Sequence, residues 1–407
     1  MTISFEIPRI ISVDDHVMEP PDLWTSRAPA SIKDRVPRMV RSDELFTWKH
    51  GKASKTSTKA KPGEECDLWE YENYKFPLYQ ALAAAGTNVA DIDNGPITYE
   101  AMRPGVKFQK ERIADMLSNH VDAAACFPNT LPRFCGQTFA ERTDREIALW
   151  SLRAYNDWLI EDWCGGEGQG RLIPVTVAPL WDVELAVQEV HRCAAKGSFA
   201  LSFSENPTML GLPSVYTGYW DPLFRACAET GTTLCIHVGS SSHVHSTSED
   251  APFILGSTMA YVASMGSLMD FIYSGLLERI PELKVMWSEG QAGWLPYLIE
   301  QADKFWSHRG DNQFGSNLPN PPSSYLPGRV YLCIYDDDTA LRERNIIGMD
   351  QLCYETDYPH ADGSFPHTLN DVEKFVTNAG LSETETYKLL RGNAIAGLGL
   401  SRFGIDR

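Results

Sequence analysis

The stretch IISVDDHVMEP, residues 10–20, joins a short apolar run to a polar group that follows it directly. The run Ile10–Val13 is rich in β-branched side chains and predicts a strand. Asp14, Asp15 and His16 come where this strand ends. Barrels of alternating strands and helices collect their functional polar residues at the carboxyl ends of the strands. The stretch therefore predicts the first strand of such a barrel.

Seven further apolar runs follow along the chain and alternate with helical patterns. They span residues 123–127, 172–177, 199–203, 232–236, 283–287, 330–334 and 352–355. Near-continuous apolar runs are typical of parallel strands that are buried on both faces. Eight such strands alternating with helices predict an α/β fold, specifically a (β/α)8 TIM-type barrel. An open doubly wound sheet is the main alternative, but no GxGxxG motif follows any run.

The region from about residue 40 to 107 fits no single strand–helix unit. It contains a lysine-rich stretch and then an aromatic group, namely Lys49, Lys52, Lys55, Lys59 and Lys61, followed by Trp69, Tyr71, Tyr74, Phe76 and Tyr79. Long connections of this kind are either solvated loops or functional lids. We expect one barrel domain over residues 1–407, in which this insertion after strand one forms a lid or a substrate wall.

Composition excludes several classes of protein. The 407 residues include 36 Lys and Arg against 54 Asp and Glu, a net charge of −18, which does not suit nucleic-acid binding. Nine cysteines without a CxxC pair predict reduced thiols in a cytoplasmic protein. The chain begins without a basic and apolar leader, and its longest stretch of low charge, residues 251–277, is interpreted as a loop and a buried helix. No membrane span is therefore expected.

Polar residues at four predicted strand ends are the candidate metal ligands. Asp14 and His16 are two positions apart, so in an extended segment they leave the same face, and Glu19 follows just past the turn. His237 ends strand five, Glu289 ends strand six and Asp357 ends strand eight. Each alone has an ordinary explanation as a cap or an exposed side chain. Together they converge on one mouth of the barrel, and we predict the ligand set Asp14, His16, Glu19, His237, Glu289 and Asp357.

Two imidazoles and four carboxylates are more ligands than one metal ion needs. Such a mixture of oxygen and imidazole ligands suits Fe, Zn or Mn rather than a soft metal. Pairs of ions about 3.5–4 Å apart commonly share carboxylates. The ligand set therefore predicts divalent metal ions, two in number, as the cofactors.

Five segments resemble the metal-dependent amidohydrolase superfamily, and within it the amidohydrolase-related branch of hydrolases and non-oxidative decarboxylases. They are VDDHVMEPPDLW (13–24), RIADMLSNHVDAAACFPN (112–129), SGLLERIPELKVMWSE (274–289), ETDYPH (355–360) and GNAIAGLGL (392–400). The resemblance runs over most of the chain. It implies a (β/α)8 barrel whose metal ligands come from strands one, five and eight, which here are Asp14, His16, His237 and Asp357.

The chain departs from this branch at strand six. The resemblance implies a catalytic His-Gly-Gly in the decarboxylases, whereas this chain has Glu289-Gly290-Gln291. A glutamate with an ordinary pKa of about 4.3 does not hold a proton at neutral pH, so the departure argues against the usual decarboxylation mechanism. A carboxylate is, however, a good bridging ligand. We therefore expect Glu289 and Glu19 to hold a second metal ion.

The first hypothesis for the function is metal-dependent hydrolysis of an acyl bond by a metal-bridged hydroxide. The bond would be an amide, an ester or a thioester, and the lysine-rich stretch would suit an anionic substrate such as a CoA thioester. Asp357 would orient or deprotonate the water, and His243 would donate a proton or contact the oxyanion. The chain lacks the GxSxG motif that a serine hydrolase mechanism would require.

Three alternatives stay open. A non-oxidative decarboxylase or other C–C lyase is disfavoured by Glu289. An oxygenase with two Fe, or with Mn and Fe, suits the same ligands and would be recognised by oxygen consumption. A non-enzymatic subunit is disfavoured because all four expected ligands are present. The expected partners are a small-molecule acyl substrate and a second copy of the chain in a homodimer.

Overall fold

The architecture is seen in a computed structural model that describes residues 3–49, 52–61, 65–93, 95–248, 250–309 and 318–406. The strands in these ranges are β1 Ile10–His16, β2 Arg38–Ser42, β3 Glu44–Lys49, β4 Lys52–Lys59, β5 Cys66–Tyr71, β6 Tyr74–Pro77, β7 Val121–Phe127, β8 Leu172–Val177, β9 Ala200–Ser204, β10 Thr233–His237, β11 Val285–Ser288, β12 Val330–Ile334 and β13 Leu352–Tyr354.

The α-helices lie mainly between successive strands. They are α1 Leu23–Arg27, α2 Pro104–Lys107, α3 Gln109–Ser118, α4 Gln137–Ala140, α5 Arg145–Trp158, α6 Val183–Ala195, α7 Asp221–Thr230, α8 Phe253–Thr258, α9 Tyr261–Tyr273, α10 Leu276–Arg279, α11 Leu295–Arg309, α12 Asp338–Arg342, α13 Arg344–Ile347, α14 Thr368–Ala379, α15 Glu383–Tyr387 and α16 Asn393–Leu398. In the described part of the chain, no helix combines the length and apolar character needed to cross a membrane.

Eight strands form one parallel sheet in the order β1, β7, β8, β9, β10, β11, β12 and β13. Each of the eight apolar runs in the sequence forms one of these strands. Every residue of β8, β9, β10, β11, β12 and β13 is buried, because side chains inside the barrel and beneath the helices are both shielded from water. The predicted (β/α)8 barrel is confirmed.

The first and last strands meet at a seam that closes the barrel. The backbone N–H of Asp357 donates to the carbonyl of Asp14 at 2.9 Å, and the N–H of His16 donates to the carbonyl of Tyr358 at 2.7 Å. All four residues lie at the carboxyl ends of β1 and β13. The seam therefore fixes the distance between the polar residues that follow these two strands.

Buried side chains reinforce the seam. The Asp15 carboxylate accepts hydrogen bonds from the Ser12 hydroxyl at 2.9 Å, the Thr356 hydroxyl at 2.6 Å and the Tyr358 N–H at 3.2 Å. Arg112 is fully buried, donates to the His16 carbonyl at 2.6 Å and lies 4.0 Å from Asp15. Asp15 is thus a structural carboxylate, in contrast to its neighbours on β1.

The insertion after β1 is more regular than a loop. Strands β2, β5 and β6 form a three-stranded antiparallel sheet, and β3 and β4 form a hairpin that contains the lysine-rich stretch. Lys55 pairs with Glu44 and Lys59 with Asp43, both at 2.6 Å. The side chains of Lys49 and Lys52 lie outside the described part of the structure. The described ion pairs neutralise the charges of Lys55 and Lys59. Binding of an anionic acyl group by the hairpin stays a prediction.

Candidate active site

The carboxyl ends of three barrel strands bring four candidate ligands together. Asp14 and His16 come from β1, His237 is the last residue of β10, and Asp357 follows β13. All four side chains are buried, with residue exposures of 0–2%. We call these four residues the ligand cluster.

The ligand atoms of the cluster point at one another. The Nε2 atoms of His16 and His237 are 3.2 Å apart. Asp14 places one carboxylate oxygen 3.5 Å from Nε2 of His16 and the other 3.3 Å from Nε2 of His237. Asp357 Oδ1 lies 3.4 Å from Nε2 of His16. Four side chains therefore surround one small volume.

The hydrogen bonds of the two imidazoles show which nitrogens face this volume as acceptors. Nδ1 of His16 lies 3.1 Å from the Pro128 carbonyl, and Nδ1 of His237 lies 2.6 Å from the Val238 carbonyl. A carbonyl can only accept, so we assign the proton of each ring to Nδ1. Burial lowers the pKa of both rings, that of His237 to about 4, so both are neutral. Two Nε2 lone pairs then face each other.

The carboxylates of the cluster are also short of hydrogen-bond donors. Both oxygens of Asp14 are buried and accept no hydrogen bond from the described residues, whereas Asp357 has His360 as its neighbour, with Nδ1 2.9 Å from Oδ1. Burial, and then the nearby charge of Glu355, raise the pKa of Asp14 well above its usual value, and burial raises the pKa of Asp357 to about 7. Two facing lone pairs and the unpaired carboxylate of Asp14 fit a bound cation. These residues suit a divalent metal ion such as Mn, Fe or Zn.

Glu289 and His360 form a second group beside the cluster. Glu289 lies 3.7 Å from Nε2 of His237 and 4.0 Å from Nδ1 of His360. The His360 ring stacks on His16 at 3.9 Å, and its Nδ1 lies 2.9 Å from Asp357. Burial opposes the charge of His360, but the Asp357 and Glu289 carboxylates raise its pKa to about 10. His16, Glu289, Asp357 and His360 could together hold a metal ion.

Two residues of this region have an uncommon backbone conformation. Glu289 has φ 54° and Asp357 has φ 49°, both in the left-handed region that favours glycine. Such conformations cost on the order of 1–3 kcal/mol each and cluster at functional sites. Here they turn two carboxylates inward at the ends of β11 and β13.

Glu19, which the sequence places among the ligands, is not brought into the cluster. Its Oε1 accepts the Asn129 N–H at 3.1 Å, and its Oε2 accepts the N–H of Thr130 at 3.1 Å and the hydroxyl of Thr130. The carboxylate therefore holds the loop after β7. His243 is exposed and lines a cavity beside the cluster, so its chemical role stays a prediction.

The predicted ligand set leaves out two buried residues of the site, His360 and Glu355. Glu355 accepts the Glu289 N–H at 3.1 Å, while its other oxygen accepts no hydrogen bond from the described residues. Both residues lie in the segment ETDYPH, whose density of ionisable groups around Asp357 was the available signal.

A closed parallel barrel with buried imidazoles and carboxylates at its carboxyl end defines a metal-dependent barrel enzyme. The chain belongs to the amidohydrolase family, because the family model described as Amidohydrolase matches residues 61–400. The resemblance to the amidohydrolase superfamily in the sequence is thereby confirmed.

Individual relatives differ in how much of the chain they match. A 2-amino-3-carboxymuconate-6-semialdehyde decarboxylase from Dictyostelium discoideum is 25% identical over 243 residues, covering 58% of this chain and 63% of its own length. An amidohydrolase from Mycobacterium avium subsp. paratuberculosis has 22% identity and a TM-score of 0.70, with 96% and 98% of the two chains covered. A manganese-bound 5-carboxyvanillate decarboxylase from Novosphingobium aromaticivorans has 20% identity and a TM-score of 0.58, with 72% and 82% covered.

Metal binding should stabilise the protein more at high pH than at low pH. In the metal-free protein, burial on folding raises the pKa of Asp357 from 3.8 to about 7. The folded state therefore holds the carboxyl proton of Asp357 more tightly than the unfolded state does. The stability of the metal-free protein therefore falls as the pH rises through this interval. A bound cation requires the carboxylate form of Asp357, and its positive charge removes the free-energy cost of burying that negative charge. The gain in Tm from Mn(II) relative to EDTA is expected to grow between pH 5 and pH 8.

Thermal unfolding with Mn(II) and with EDTA checks this expectation. Asp357→Asn is the matched control, because an amide has no charge to lose, and its gain should be small at both pH values. A wild-type gain that is equal at the two pH values, or larger at pH 5, would contradict the role of Asp357.

The seam should depend on the Thr356 hydroxyl. Thr356→Val keeps a branched side chain but removes the hydroxyl that donates to Asp15 at 2.6 Å. Leaving a buried carboxylate with fewer donors should lower the free energy of unfolding by about 1–3 kcal/mol. Denaturant unfolding measures this loss, and Thr356→Ser, which keeps the hydroxyl, should recover most of it. Equal stabilities of the Val and Ser variants would show that the hydroxyl does not matter.

Proposed function

We propose that the protein is a divalent-metal-dependent decarboxylase that removes a carboxyl group from a small organic acid without an oxidant. The observation that carries this proposal is the ligand cluster, in which two neutral imidazoles face the buried carboxylates of Asp14 and Asp357. The names of the Dictyostelium and Novosphingobium relatives support this reaction over acyl-bond hydrolysis, which the sequence alone favours.

The proposed reaction breaks one carbon–carbon bond. Its electron pair stays on the substrate carbon, carbon dioxide leaves, and a proton takes the place of the carboxyl group. When bound, the metal supplies positive charge that attracts and orients the substrate carboxylate. Asp14, His16, His237 and Asp357 would hold this ion.

Glu289 is the proposed source of the proton. It stands at the end of β11, where the resemblance implies a catalytic histidine in the decarboxylases. Its carboxyl group lies 3.7 Å from Nε2 of His237 and 4.0 Å from Nδ1 of His360. Burial raises the pKa of this carboxyl group above its usual value, which favours the protonated form. The departure from the family pattern at strand six is thus a change of proton donor rather than the loss of one.

Hydrolysis of an acyl bond is the second candidate function. One observation favours it: Glu289 and His360 form a second set of possible ligands together with His16 and Asp357 of the ligand cluster. If these residues held a second ion, the two ions would supply the positive charge that activates water for attack on an acyl bond. The two candidates differ in metal number, since the decarboxylase needs one ion and leaves Glu289 free.

The experiment that tests the proposal follows the product. Mn(II)-loaded protein is incubated with aromatic and unsaturated acids labelled with ¹³C in the carboxyl group, and in parallel with aryl esters and acyl thioesters. We expect labelled carbon dioxide from at least one acid and none with the His237→Ala variant. Hydrolysis of an ester or thioester without carbon dioxide release from any acid would overturn the proposal in favour of the second candidate.

A further inference from the structure

A cavity of about 240 Å³ adjoins the ligand cluster. The ring of Phe134, which lines it, stacks on His237 with the ring centroids 4.1 Å apart. Asn129, which also lines it, lies 3.2 Å from Nε2 of His360 through its side-chain oxygen. A substrate whose carboxylate lies at the cluster would therefore extend its body into this cavity.

The walls of the cavity are mainly apolar. The insertion supplies Phe76, Tyr79 and Leu82, and the loops after β7 and β10 supply Phe134 and Val244. The volume is close to the lower end of the range for small-molecule sites, about 300 Å³, which suits a body of one or two rings.

Apart from the exposed imidazole of His243, polar side chains in the walls are engaged with the protein itself. The Asn129 amide donates to the Leu82 carbonyl at 3.2 Å, and the Ser242 hydroxyl accepts a hydrogen bond from Arg133. Substrate hydroxyl groups placed away from His243 would leave water without gaining equivalent partners, which costs binding energy. The cavity therefore disfavours a polyhydroxylated body.

Arg133 is the cationic side chain among the described lining residues, and its charge is already balanced. One guanidinium nitrogen lies 2.8 Å from Glu141, and another donates to Ser242. The side chain is only 18% exposed. A second carboxylate on the substrate would have to compete with Glu141 for Arg133. The cavity therefore suits an uncharged body.

We infer that the substrate is a monocarboxylic acid with an apolar body of one or two rings, held between Phe134 and the insertion. This inference rests on the proposed function for the placement of the carboxylate at the metal. It makes Leu82 and the Arg133–Glu141 pair the determinants of specificity: Leu82 shapes the wall, and Glu141 keeps Arg133 from accepting a second carboxylate.

Binding of unreactive acids to the full-length Mn(II)-loaded protein tests the inference. The probes are 2-naphthoate, benzene-1,3-dicarboxylate and 3,5-dihydroxybenzoate, each titrated by calorimetry. We expect 2-naphthoate to bind at least tenfold more tightly than the other two. Equal or tighter binding of the dicarboxylate or the dihydroxy acid would overturn the inference.

Two variants locate the effect. Leu82→Trp should fill the cavity and weaken 2-naphthoate binding at least tenfold while the Mn(II) affinity is retained. Glu141→Gln changes an exposed residue and should release Arg133, so that the dicarboxylate binds at least fivefold more tightly and 2-naphthoate is unaffected. If Glu141→Gln leaves dicarboxylate binding unchanged, Arg133 does not select against a second carboxylate.

The inference and the proposed function can fail separately. Tight 2-naphthoate binding, with no carbon dioxide from any labelled acid, would contradict the proposed decarboxylase function and leave the inferred substrate class intact. Release of carbon dioxide from a labelled dicarboxylic or dihydroxy acid, but from no apolar monocarboxylic acid, would contradict the inferred substrate class alone.

Discussion

Replacing His237 with alanine is expected to lower the affinity for Mn(II) by more than about 100-fold, since even residues behind the ligands of a metal site contribute about 10–100-fold. The variant removes one of the two imidazoles that face the cluster volume and leaves the buried Asp14 carboxylate without its neighbour at 3.3 Å. Titration of metal-free protein with Mn(II), followed by electron paramagnetic resonance of the free ion, measures the affinity.

His243→Ala is the matched control for this experiment. His243 lies on the loop that follows the same strand but is exposed and outside the ligand cluster. We expect its Mn(II) affinity to equal that of the wild type. Wild-type affinity in His237→Ala, or an equal loss in both variants, would contradict the assignment of the ligands.

Glu289→Gln is expected to lower kcat by about 10²–10⁴-fold, the usual contribution of a positioned proton donor. Glutamine keeps the size of the side chain but cannot deliver a proton. Because the proposed single ion is held by the other four residues, Mn(II) affinity should be retained, and substrate binding should change little. Steady-state kinetics on an acid that releases carbon dioxide provide the measurement.

Glu282→Gln is the matched control. Glu282 is exposed and precedes the first residue of β11, so this variant should leave kcat unaltered. If Glu289→Gln instead loses one of two bound ions, Glu289 is a bridging ligand and the two-ion hydrolase gains support. A Glu289→Gln variant with full kcat and full metal content would exclude both roles.

The barrel could be predicted because its strands are buried on both faces and therefore appear as continuous apolar runs. The insertion could not be predicted in the same way. Strand β4, Lys52–Lys59, is composed of Lys, Ser, Thr and Ala, and it is held by its antiparallel partner β3 and by ion pairs such as Lys55–Glu44. Strand preference depends strongly on such neighbours, which the local sequence does not reveal.

The position of a candidate ligand could be predicted where the residue lies at the carboxyl end of a strand, since the strand itself sets its position. Asp14 and His16 lie at the end of β1, and His237 at the end of β10. Glu19 lies beyond a turn, and the N–H groups of Asn129 and Thr130 offer its carboxylate a nearer partner. His360 depends on the left-handed turn at Asp357, which brings a residue three positions later back against the cluster.

Anomalous X-ray diffraction from crystals grown with Mn(II) tests the metal site most directly. The account predicts one manganese peak per chain, between the Nε2 atoms of His16 and His237 and within reach of Asp14 and Asp357. A peak elsewhere would contradict the ligand assignment. Two peaks about 3.5–4 Å apart, bridged by a carboxylate, would contradict the single-ion decarboxylase.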